Sequence, residues 1–229
     1  MTNLSPRSRI YHLIEEKAFL KQKVYSNTLH SFVALNDGLK EIYSDLHKRF
    51  HQPDKGVFLD MKKHGEFEVR VKIAGDTIVF MMHTNIFDFD RSNPIYKTSY
   101  ISDDVSRAYC GIINVYNFLS DSFKYNRIND LGYLIARIFI NKDHHFFVEG
   151  KRQLGYLYND FSVLEFNKEN AIAVVESIIL YCVGFDLLTP PFSEISMVRV
   201  NEMQEASQNM NVSTGKRLGF KFNSEGDEL

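Results

Sequence analysis

The chain has 229 residues, 44% of them apolar and 14% aromatic, with 19 Phe, 12 Tyr and no Trp. That length and apolar share allow a core to be buried without covalent staples. The formal net charge of −2 leaves no overall basic excess, so nucleic acid is not indicated as a partner, because such binding draws its affinity from neutralised phosphates.

Residues 7–51 read as helix, opened by Ser5-Pro6 and uninterrupted by proline until Pro53. Apolar positions recur at Ile10, Leu13, Leu20 and Val24, and again at Leu29, Phe32, Leu39, Tyr43, Leu46 and Phe50. The two stripes are out of phase. The spacing therefore predicts two helices broken near Tyr25-Ser26-Asn27, with Ser26 or Asn27 as the second N-cap, rather than one helix whose buried face rotates. Gly38 is an unfavourable residue for the middle of such a helix. Pro53-Asp54-Lys55-Gly56 is turn chemistry and marks the boundary between an N-terminal helical segment, 1–52, and an α+β domain, 53–222.

From Val57 the apolar period becomes two. Glu66 to Ile73 alternates, with Phe67, Val69, Val71 and Ile73 toward a core and Glu66, Glu68, Arg70 and Lys72 toward water. Ala74-Gly75-Asp76 turns the chain into a second strand, Thr77 to Phe87, apolar on both sides. Residues 88–108 read as a loop with a short helix near Ser102, and Gly111 to Leu119 as another strand. Asp121 to Asp130 is a polar connection. Leu131–Ile140 and His144–Glu149 form a hairpin across Asn141-Lys142-Asp143.

The run Ala171 to Val183 reads as a buried helix, capped in the region Asn167 to Asn170. Ile195–Val200 reads as a further strand, Asn201 with Gln204 opens a short helix, and residues 223–229 form a polar tail. The expected architecture is α+β: a mostly antiparallel sheet of about five to seven strands, an N-terminal helical pair and a buried helix packed on the sheet. The second face of that sheet calls for cover by the N-terminal helices or by a second copy of the chain.

Candidate chemistry is sparse. Asp130, Glu149 and Lys151, in that order around one hairpin, resemble the PD-(D/E)xK nuclease pattern over about 25 residues. The resemblance implies that Asp130 and Glu149 would hold a divalent ion such as Mg²⁺ while Lys151 positions the attacking water. Two other acid-x-Lys matches, Glu15/Lys17 and Asp60/Lys62, occur in the same chain, and an exposed, charged strand end explains Glu149-Gly150-Lys151 equally well.

His47 and His51 stand four apart on a helix and share a face, the spacing of a transition-metal pair lacking its third ligand, or of a solvated helix end. His83 lies in an apolar strand, where it either lines a ligand pocket or sits satisfied in the core. His144-His145 falls in or beside the hairpin turn, and adjacent strand residues point to opposite faces. The acidic pairs Asp88/Asp90 and Asp103/Asp104 lack the spacing of a calcium loop. Lys216, Arg217 and Lys221 interleave with Phe220 and Phe222 as on an amphipathic edge strand.

Cys110 and Cys182 form no zinc or redox pattern and read as small buried apolar groups. The first residues lack the apolar run of a signal peptide, and the longest apolar stretch is too short to span a bilayer, so the cytoplasm is the expected location. No nucleophile elbow, P-loop or dinucleotide fingerprint occurs. Together these features favour a non-catalytic regulatory or scaffolding domain that binds a protein partner, a second copy or a small ligand. It would need no cofactor, and a metal-dependent nuclease is the alternative reading.

Overall fold

A computed structural model describes residues 5–185 except Gly56 and Asn129, together with Pro191, Phe192, Met197, Arg199 and Val200. The strand expected at 195–200 falls largely outside the described residues. The helix from Asn201, the basic–aromatic stretch around Lys216 and the tail 223–229 lie wholly outside them.

Ser5 caps the first helix by accepting the Ser8 amide, and Pro6 occupies its first turn. Helix α1, Pro6–Leu13, passes through a π-helical turn, Ile14–Ala18, into α2, Phe19–Phe50. The expected break at residues 25–27 is therefore absent. The wide turn, in which hydrogen bonds run i→i+5, inserts a residue and rotates the helix face. Ile10 and Leu13 stay exposed, whereas Val24, Phe32, Leu35 and Leu39 are buried. Asn27 does not cap a helix. Its side-chain amide donates to the carbonyls of Asn141 at 3.1 Å and Lys142 at 2.8 Å, pinning α2 to a hairpin far away in sequence.

Six strands follow as an antiparallel meander, each paired with its neighbours in sequence: β1 Leu59–Lys63, β2 Glu68–Ile73, β3 Asp76–Met82, β4 Gly111–Leu119, β5 Tyr133–Ile140 and β6 Phe146–Gly150. The alternation does not single out β1. Short turns join β1 to β2, β2 to β3 and β5 to β6, while longer segments link β3 to β4 and β4 to β5, and strands consecutive in sequence pair throughout. The register lines up Val69 with Phe80, Phe80 with Val115, Val115 with Ala136 and Ile138 with Val148. Those side chains share one face, because the strand period is two.

That face is covered by α2 and, beyond the short helix α5, Leu154–Leu157, by α6, Lys168–Val183, whose Asn167 side chain accepts the Asn170 amide as the sequence suggests. Ala171, Val174, Val175, Ile178 and Cys182 of α6 are buried against it. Gly38 has a packing reason: a Cβ there would lie 3.1 Å from the Ile172 side chain, so its absence lets α2 and α6 approach closely.

The opposite face is not covered by the N-terminal helices; other segments of the chain lie over it at its two ends. At one end, residues 88–108, including the short helix α3, Ser99–Asp103, cover Ile112, Phe139 and Phe147 with Ile101, Ala108, Phe89 and Tyr100. The acidic residues of this segment build its turns. Asp90 accepts from Ser92, Asp104 accepts from Ser106, and Asp88 accepts the Tyr96 hydroxyl. The Lys142 ammonium bonded to Asp104 holds that carboxyl down at about 2. At the other end, the chain leaving β4 folds back as α4, Ser120–Lys124, and a loop to Asp130. Among the described residues, no helix is long and apolar enough to cross a membrane.

Candidate functional site

Between α4 and the outer strands the second face opens into a groove of about 560 Å³. Its origin is the alternation of β2. Val69 and Val71 are committed to the core, so Arg70 and Lys72 must point to the other side. The antiparallel register sets Lys62 of β1 opposite Arg70 and Asp60 opposite Lys72, which puts all four on the groove face. Thr77 of β3 and Phe118 of β4 are partners in the same row.

The far wall comes from α4 and its following loop, which supply Phe123, Lys124, Asn126, Arg127, Ile128 and Asp130. Three contacts hold that wall. Thr77 and Ser120 share a buried hydroxyl hydrogen bond of 3.0 Å, the Ser120 amide donates to the Gly75 carbonyl, and the Arg127 amide donates to the Ser122 carbonyl. Gly132 allows Phe118 to lie flat, since a Cβ there would come within 2.3 Å of the ring.

Five cationic side chains, Lys62, Arg70, Lys72, Lys124 and Arg127, line the groove against two carboxylates, Asp60 and Asp130. This local excess runs against the net charge of −2 for the whole chain. Aromatic rings carry several of the cations: Arg70 lies 4.4 Å from the ring centre of Phe123, Lys72 5.4 Å from Phe58, and Lys124 and Arg127 flank Tyr125. Asp60, bonded to Lys62, raises that ammonium above its ordinary value, and the Tyr125 hydroxyl raises Lys124, so both stay charged at neutral pH. Arg70 also pairs with Glu68. Asp130 accepts the Ser122 hydroxyl at 2.7 Å and lies 3.5 Å from Arg127. The groove is thus rich in donors and poor in acceptors, and a cleft of one charge sign concentrates its field.

Of the three residues of the nuclease-like pattern, Asp130 lines the groove, and Glu149 and Lys151 are not among its lining residues. Glu149 sits in β6 across from Arg137 of β5, and the two form an ion pair at the exposed surface. The Lys151 amide donates to the carbonyl of Ile135.

His83 stands just past β3, with its ring edge-on to Phe87 and its Nδ1 accepting the Asn85 amide; it is not among the residues lining the groove. His47 and His51 stack at 4.2 Å, and His51 Nδ1 accepts the Leu59 amide, which ties the end of α2 to β1. Among the described residues no group of three or more His, Cys, Asp or Glu has a metal-holding arrangement.

Sequence reading missed the groove residues. Arg70 and Lys72 were legible as solvent-facing, but their convergence with Lys62, Lys124 and Arg127 depends on strand register and on α4 folding back. Comparison with protein-family models, curated proteins and solved structures gives no match.

Proposed function

We propose that this chain is a non-catalytic binding domain whose recognition surface is the groove between β1–β3 and α4, and whose ligand is a small polyanion carrying phosphate or carboxylate groups. The observation that carries the reading is the convergence of Lys62, Arg70, Lys72, Lys124 and Arg127 on one open groove in a chain of net negative charge. Charge-assisted hydrogen bonds from such side chains are the strong ones, and the aromatic rings beneath them limit how far the cations wander. Asp130, the acid of the far wall, is engaged by Ser122 and Arg127, which suits a positioning role in the scaffold.

Calorimetric titration with inorganic triphosphate, and separately with citrate, tests the reading. Saturable binding is expected, weakening as salt rises. Arg70→Ala and Lys72→Ala should each weaken it about tenfold or more, the worth of one charged hydrogen bond. Circular dichroism checks that each variant is folded. Absence of saturable binding to either anion, or equal binding by the folded variants, overturns the proposal.

A further inference from the structure

The groove is not uniform along its floor. The register sets Asp60, Lys72, Thr77 and Phe118 in one row, one residue from each of β1 to β4. Paired strands lie about 4.8 Å apart, so Phe118 stands two strands, roughly 10 Å, from Lys72. The cations of the sheet are thus gathered at its outer strands, and the row ends inward on an aromatic ring.

That inner end is apolar. Phe118 meets Phe123 of α4 edge-on, with ring centres 5.2 Å apart. Ile128, in the loop after α4, lines the groove and is 84% exposed. Asn126 lines the same wall, and its side chain carries both a donor and an acceptor, the combination that reads the edge of a nucleic-acid base. A bare polyanion held by the cations leaves this end of the groove unused.

We infer, resting on the reading of the groove as a polyanion site, that its ligand is a nucleoside polyphosphate. The base lies against Phe118, Phe123 and Ile128, and the phosphates reach toward Lys62, Arg70 and Lys72. A phosphate bonded directly to an aromatic ring is too short to serve both ends, whereas the sugar of a nucleotide holds base and outer phosphates well apart. The groove volume of about 560 Å³ suits one such molecule. A base stacked on an aromatic side chain gains affinity beyond the charge term.

The test is calorimetric titration of the full chain with each of the common ribonucleoside triphosphates and with inorganic triphosphate, at one pH and salt concentration. Charge alone would rank inorganic triphosphate level with or ahead of the nucleotides. At least one nucleotide is instead expected to bind about tenfold more tightly. Phe123→Ala should cut that preference to about threefold or less, and Phe123→Tyr should keep it. Ile128→Ser, at an exposed position, should also lower it. The ratio of the two affinities is the readout, so a shift of Arg70 away from the Phe123 ring, which weakens both anions, does not imitate the effect. Saturable binding of inorganic triphosphate with no nucleotide tighter overturns the nucleotide and leaves the polyanion site standing. Absence of binding by every anion overturns both. An unchanged preference in Phe123→Ala and Ile128→Ser overturns the placement of the base, and tighter binding of a short single-stranded oligonucleotide than of any mononucleotide overturns the ligand class.

Discussion

Asn27→Asp separates the observed role of this residue from the helix-capping role that its sequence position suggests. An N-cap accepts a backbone N–H through its side-chain oxygen, so Asp would serve there as well as Asn. In the structure Asn27 instead donates, to the carbonyls of Asn141 and Lys142, from a buried position. The Asn141 carbonyl also accepts the His144 amide at 3.3 Å, so removing the Asn27 donor leaves chiefly the Lys142 carbonyl short of a partner. Asn27→Ala thus loses two hydrogen bonds worth about 1 kcal/mol each and regains about 0.6 kcal/mol of helix propensity, a net loss of about 1.5 kcal/mol. For a chain of this size that lowers Tm by about 3–6 °C.

Asn27→Asp should be worse, by about a further 1–3 kcal/mol, because an ionised carboxylate would face two carbonyl oxygens without a donor. The repulsion raises the folded-state pKa of the new carboxyl. The extra loss is therefore full at neutral pH and shrinks on acidification, once the carboxyl is protonated and can donate. Thermal unfolding followed by circular dichroism at about pH 7 and about pH 4.5 reads both effects, relative to the parent at each pH. An Asp variant as stable as the parent, or more stable than the Ala variant at neutral pH, would refute this account of how α2 is held.

Three further expectations follow from the packing. Gly132→Ala should lose about 1–3 kcal/mol, since its Cβ would meet the Phe118 ring, and Phe118→Ala in the same chain should recover part of the loss; additive losses in chemical denaturation would contradict the contact. His144 is held below its ordinary pKa, first by burial and then by His30 and Lys23, against an opposing pull from Glu165. The unfolded chain then binds more protons at this site, so His144 lowers stability as pH falls through about 6.5 and has no such effect well above it. His144→Asn keeps a residue suited to the observed φ of 61° and should flatten the fall in Tm between about pH 7.5 and about pH 5.5; an unchanged slope would count against the assignment. Burial raises the thiol pKa of both Cys110 and Cys182, so an aromatic disulfide reagent should label neither until the chain unfolds, and rapid labelling of the native protein would contradict that burial.

The sequence by itself determined the local elements. Alternation from Glu66 to Ile73 set which side chains of β2 face the core. The turn chemistry at Asn141–Asp143 set the hairpin, and the oily run after Asn170 with its Asn167 cap set α6. Each of these signals is carried by neighbours in the chain, where a period of two or of three to four residues suffices to read it. The α+β class followed from them. The continuous N-terminal rod did not, because a π turn shifts the phase of an apolar stripe much as a helix break would, and the two readings look alike in one dimension.

Tertiary structure alone decided which charges meet. Asp130 takes Ser122 and Arg127 as partners in the groove wall, while Glu149 pairs with Arg137 across the β5–β6 hairpin. Lys62, Arg70, Lys72, Lys124 and Arg127 span more than sixty positions and converge only because β1 pairs with β2 in one register and α4 folds back over Phe118. Electrostatic convergence depends on distance through space, and distance along the chain fixes that only within a single element.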